Sequence, residues 1–174
     1  DVNDGIVTDT PVEDNPGEEE EEEDEEIIPN GKKLYLSTEG NNNNDGLTPA
    51  TAKATFAKAV AAALDGDTII VADGLYSEAY EIKFEKLGVV VMAAEGAKPV
   101  VQLTGQWTSI VLMATTTFDG ITFDGAGIAY YLLSSKGTDA GTFTFKNCEF
   151  TNWDSYWAIS NQYSDNTHVK SVVV

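Results

Sequence analysis

The 174 residues carry 29 acidic side chains against 10 basic ones, a formal charge of −19 that argues against a surface built for nucleic-acid phosphates. All ten basic residues are Lys, no basic patch is interleaved with aromatics, and the acidic field repels anionic membranes and polyuronates at long range. No run approaches the roughly 18 apolar residues of a membrane span, and the single cysteine, Cys148, cannot close an internal disulfide.

Fourteen of the acidic residues fall between Asp1 and Glu26, where no basic residue occurs, and Glu18 to Glu26 is wholly acidic. Such a block repels itself and buries nothing, so residues 1–30 read as a disordered, extended acidic spacer. Asp1-Val2-Asn3-Asp4-Gly5 starts like a calcium loop, but its Gly is fifth rather than sixth, so calcium has no specific motif here and no cofactor is expected.

Order is expected from residue 31 to residue 174. Lys33 to Ser37 alternates as a short strand, and the turn-rich Asn41 to Gly46 follows. Thr48-Pro49 introduces a predicted helix in which Phe56, Val60 and Leu64 recur every fourth residue among small alanines, stopped by Asp65-Gly66-Asp67. Thr68 to Ala72 is a β-branched run read as a buried strand, with Asp73-Gly74 and Leu75-Tyr76 as a turn. Beyond it the pattern is strands only, over 81–84, 89–93, 100–103, 109–113, 117–123, 129–133, 142–150 and 158–160, with an apolar run over 169–174.

Two segments repeat. Phe118-Asp119-Gly120-Ile121-Thr122-Phe123 lies on Phe145-Lys146-Asn147-Cys148-Glu149-Phe150 at an offset of 27 residues, and one further step from Phe145 reaches Val172. A period of that size, with strands and turns but no further helix, fits one coil of a solenoid. Asn147 and Asn152 suit hydrogen-bonded ladders between such coils. A chain stopping mid-coil is expected to be shortened from a longer one, or to have its open end covered by missing coils or a protein partner.

The stretch Leu34-Tyr35-Leu36-Ser37, Gly40, Asn44-Asp45-Gly46, Thr48-Pro49-Ala50-Thr51, Ala59-Val60, Gly66-Asp67-Thr68-Ile69 and Gly74-Leu75-Tyr76 resembles the N-terminal cap region of pectate-lyase-like β-helix proteins. The likeness runs on through Phe123 and Phe143 to Trp153. It implies an all-β solenoid, a right-handed parallel β-helix with an N-terminal α-helical cap, truncated at its C-terminal end. The acidic leader is similar to the spacer of bacterial surface lipoproteins, which implies an extracellular or outer-membrane location. The lipidated cysteine of such proteins is absent, so contact with a membrane is expected only through an anchor outside this chain.

A polysaccharide lyase needs a base beside a uronate carboxylate, and the resemblance implies Arg or Lys for it, with Asp-bound calcium in several relatives. Arg is absent, and Lys146 and Lys170 read as solvated-face or turn residues. Asp119 and Asp124, five residues apart along one predicted strand, point to opposite faces and are better explained as turn formers. His168 has no second ligand nearby for a metal, and Cys148 reads as an inert inward thiol. The suggestive group is Asn152, Trp153, Asp154, Tyr156 and Trp157, predicted to share one loop, because flat rings beside polar groups grip sugar faces. Packing at a coil corner is the competing explanation. Trp107, Tyr130 and Tyr131 form a second set. The expected function is therefore polysaccharide binding at the cell surface, with two alternatives: the N-terminal part of a polysaccharide lyase whose catalytic coils lie outside the chain, and a non-catalytic adhesin or spacer.

Overall fold

The computed structural model describes residues 31–136, 141–154, 157–160 and 169–173. The acidic spacer, Tyr156 and His168 lie outside them. The chain opens with β1 (Lys33–Leu36), a 3-10 turn (Pro49–Thr51) and α1 (Phe56–Ala62). Four circuits follow: β2 (Thr68–Val71), β3 (Leu75–Glu78) and β4 (Ile82–Phe84); then β5 (Val89–Ala93), β6 (Val100–Leu103) and β7 (Ile110–Leu112). The third holds β8 (Thr116–Asp119), β9 (Thr122–Asp124) and β10 (Tyr131–Ser135); the fourth holds β11 (Gly141–Lys146), β12 (Glu149–Thr151) and β13 (Trp157–Ser160), before β14 (Val169–Val173).

Every described strand pair is parallel, and each circuit adds one strand to each of three sheets. Their orders are β1-β2-β5-β8-β11-β14, β3-β6-β9-β12 and β4-β7-β10-β13. This is a solenoid-like all-β arrangement, in which a strand finds its partner in the next circuit rather than in a hairpin.

Register carries the core. Ile69, Val91, Phe118 and Phe145 occupy one row of the first sheet, while Tyr76, Val101, Phe123 and Phe150 occupy one row of the second. Phe118 and Phe145 stack at 5.5 Å with planes 3° apart, and Phe123 and Phe150 stack at 5.4 Å. These pairs are the 27-residue repeat made visible. The further step to Val172 fails: a register shift after Gly141 pairs Val172 with Phe143 instead.

The long predicted strands over 117–123 and 142–150 are each broken in two. Gly120 (φ 73°) and Asn147 (φ 52°) take the left-handed conformation at equivalent places, turning the chain from the first sheet to the second. Asp119 and Asp124 therefore end different strands, β8 and β9, on different sheets. Asn147 Nδ2 donates to Asp119 Oδ1 at 2.9 Å, and Asn152 Nδ2 to Asp124 Oδ1 at 3.2 Å. The ladders that form between circuits are thus Asn-to-Asp.

The helix also differs from its sequence reading. Thr48 and Thr51 form a capping box around the 3-10 turn, and α1 starts only after its own N-cap, Thr55. Leu64 falls outside it and is 56% exposed, whereas Phe56 and Val60 are buried. Helix α1 packs against β1, β3 and β4. Phe56 meets Phe84 at 6.2 Å, and Phe84 meets Phe118 at 5.2 Å, so a line of rings runs from the helix into the third circuit. Leu75 and Tyr76, read from sequence as part of a turn, open the strand β3.

Candidate functional site

The connections from the second sheet to the third all lie at one corner of the circuits. They span 79–81, 104–109, 125–130 and 152–156, the last described as far as Asp154. Each of the four carries an aromatic residue: Tyr80, Trp107, Tyr130 and Trp153. Tyr80 is 84% exposed, Trp107 65% and Trp153 40%, with Tyr130 half-buried. Burying a ring removes much apolar area from water, so rings left exposed in successive connections at one corner call for a reason.

Hydrogen bonds hold these connections in step. Thr108 Oγ1 donates to the Ala79 carbonyl at 2.9 Å, Tyr130 N to the Gln106 carbonyl at 3.0 Å, and Asp154 N to the Ala129 carbonyl at 2.8 Å. Trp107 and Tyr130 meet edge to face at 4.7 Å, and Gln106 Nε2 donates to the Tyr130 hydroxyl. Gly125 admits the fourth connection: a Cβ there would lie 2.8 Å from the Trp153 Cα and 2.7 Å from the Asn152 carbonyl oxygen. Adjacent strands are about 4.7–4.9 Å apart, and the Trp107 and Tyr130 rings, from consecutive circuits, meet at 4.7 Å.

The polar groups alongside are mostly tied down. Asp124 accepts from Ala126 N at 2.7 Å, from Asn152 Nδ2 and from Gln102 Nε2, and Gln102 also meets Ser77. Lys83 Nζ lies 3.4 Å from Glu81 Oε2. Away from the corner, the buried Glu78 accepts from Ala57 N at 3.2 Å at the start of α1, and desolvation raises its carboxyl above the ordinary value. Burial likewise raises the Cys148 thiol, whose Sγ donates to the Lys146 carbonyl.

Of the residues predicted from sequence, Asn152, Trp153 and Asp154 sit together and exposed at this corner. Trp157 does not share their loop. It is the first residue of β13, paired with Tyr131, because the chain has already entered the third sheet there. Tyr131, placed in the second set, is a buried strand residue, while Trp107 and Tyr130 join Trp153. Tyr80 and Gln106 were not singled out, although an offset of 27 residues links Tyr80 to Trp107. Lys146 is exposed beside Asp119 in the register. Among the described residues, no group of three or more His, Cys, Asp or Glu side chains is placed to hold a metal. A cavity of about 80 Å³ between α1, β4 and β5, lined by Val60, Phe84, Lys86 and Val89, is too small for a sugar chain. The outer face of the third sheet gives no open groove at β7 and β10, where both faces are buried.

No family model matches the chain, and no curated protein matches it. A solved structure described as rhamnogalacturonan lyase is similar, with a TM-score of 0.55 and 16% identity over 80% of this chain. What the two share is a fold. The chain spans 45% of the length of that lyase.

Proposed function

We propose that the chain is part of a right-handed parallel β-helix, outside the cell, that binds polysaccharide along the connections from the second sheet to the third. The observation that carries this reading is that the four successive connections each carry an aromatic residue, Tyr80, Trp107, Tyr130 and Trp153, three of them well exposed and two, Trp107 and Tyr130, in contact across consecutive circuits. A pyranose has one apolar CH face and a rim of hydroxyls, so an exposed ring supplies the apolar contact and neighbouring amides supply the hydrogen bonds. Helix α1 serves as the cap, its apolar side sealing ring and backbone groups that an open first circuit would leave to solvent. The likeness to a lyase agrees with a carbohydrate-related role.

Affinity electrophoresis against a panel of neutral and acidic polysaccharides tests the reading, using the full chain and its Trp107→Ala and Trp153→Ala variants. Retardation of the parent protein, weakened in both variants with circular dichroism unchanged, is the expected result. Loss of cooperative folding in either variant would assign its ring to packing, and absence of retardation by every polymer would overturn the proposal.

A second reading has one observation in its favour. The chain matches 45% of a lyase, so the reactive groups of a longer protein would lie in circuits beyond those present here. Release of unsaturated sugars by a longer protein, and not by this chain, would support it.

A further inference from the structure

We infer that this corner takes a neutral glycan, laid across the strands from one circuit to the next, and discriminates against polyuronates. The inference rests on the proposed binding role of the corner and names the class of polymer it selects.

Charge decides the matter. The segments 79–81, 104–109, 125–130 and 152–154 contain no Lys or Arg, yet they carry Glu81 and Asp154, both exposed. The nearest lysine along the chain, Lys83, is 3.4 Å from the Glu81 carboxylate and so is already compensated. A uronate carboxylate entering the corner would leave water without meeting a cation from these connections, and would face the negative faces of the rings in the field of a chain of formal charge −19. A neutral sugar meets none of this. Its CH face packs on a ring, and the second N–H and the carbonyl oxygen of Gln106 and Asn152, whose first N–H groups are held by Tyr130 and Asp124, offer hydrogen bonds to its hydroxyls.

Geometry sets the direction. Trp107 and Tyr130 touch across consecutive circuits, and the connection bearing Trp153 packs on Gly125 of the circuit before it, so aromatic residues recur at this corner in a direction that crosses the strands. The rise of about 4.7–4.9 Å per circuit is of the order of one pyranose unit. Affinity therefore rises with oligosaccharide length while successive sugars reach successive connections, then levels off once the corner is filled.

Titration calorimetry on the full chain, with galactan, xylan, mannan and β-glucan as neutral polymers and polygalacturonate as the acidic one, at low and high salt, tests this. The expected result is binding of at least one neutral polymer, insensitive to salt and weakened about tenfold or more by Trp107→Ala. Asp154→Lys should improve polygalacturonate binding at low salt while leaving the fold intact by circular dichroism. Tighter binding of polygalacturonate than of every neutral polymer, still dependent on Trp107, would overturn the neutral preference but leave the corner as the site. Binding of no polymer, or binding indifferent to both Trp107→Ala and Trp153→Ala, would overturn the corner itself.

Discussion

Phe118→Ala is the most incisive test of the architecture. Phe118 is fully buried on β8 and touches three rings: Phe145 of the fourth circuit stacked at 5.5 Å, Phe84 of the first edge-on at 5.2 Å, and Phe123 of its own at 5.3 Å. Truncation removes the atoms that join these circuits and leaves a cavity bounded by strands that cannot close on it without breaking register. Large-to-small changes of this kind cost about 3–5 kcal/mol, a large share of the roughly 5–15 kcal/mol that holds a domain folded. Melting should fall on the order of 10–15 °C for a chain of this size. Urea unfolding followed by tryptophan fluorescence measures the loss directly. A double-mutant cycle with Phe145→Ala should show coupling of about 0.5–1.5 kcal/mol, since the two share one contact. A loss below about 1 kcal/mol, or strict additivity with Phe145→Ala, would refute a common ring-lined core.

Four further outcomes are expected. The raised carboxyl of Glu78 means that the folded state keeps a proton that the unfolded chain has released, so its contribution is present below the ordinary value of about 4.5 and is lost as pH rises through the folded value. Relative to the parent protein, Glu78→Gln should flatten stability across that window in urea titrations at stepped pH; identical slopes would deny the burial. Gly120→Ala should cost about 1–2 kcal/mol because φ is 73° there, whereas Gly120→Asn should cost less, as Asn147 already does the same work one circuit on; equal losses in thermal melts would contradict this. Gly125→Ala should displace the connection bearing Trp153 and weaken glycan binding more than it lowers stability, with calorimetry and melting run side by side. Cys148, its thiol pushed up by burial, should react with a thiol reagent at mildly alkaline pH more slowly in the folded chain than in urea; equal rates would place it in open solvent.

Sequence alone disclosed the repeat only where a constant offset brings like residues, here phenylalanines, into the same row. Phe118 and Phe145 echo each other because β8 to β11 spans 27 residues with a two-residue turn at the same point in each. The preceding step, Val91 to Phe118, is also 27 residues but sets an aliphatic side chain against a ring, so no likeness marks it, and the step before that, Ile69 to Val91, spans 22. Strand β3 was missed because Gly74 and an apolar pair signal a turn, and because Glu78, a residue type that seldom enters cores, occupies an inward position where α1 supplies its hydrogen bond. The bends at Gly120 and Asn147 were hidden for a related reason. The apolar spacing stretches from two residues to three across them, Phe118 to Ile121 and Phe145 to Cys148, a slip that reads as an irregularity within one strand until the left-handed backbone, which Gly and Asn tolerate, reveals the corner.

The same physics explains why the aromatic corner was half legible. Turns from the first sheet to the second are pinched to two residues in the later circuits, Gly120-Ile121 and Asn147-Cys148, and hold little beyond the atoms needed to change direction. The connections from the second sheet to the third run to six residues in the second and third circuits, enough to satisfy their backbone groups on the neighbouring circuit and still project a ring. Trp153 and Asp154 stood out in sequence because they are adjacent. Tyr80, Trp107 and Tyr130 are brought to them only by stacking, each in a connection of different composition. A sequence window records neighbours along the chain, whereas a solenoid makes its surface from neighbours across it; here the rings that matter are one circuit apart.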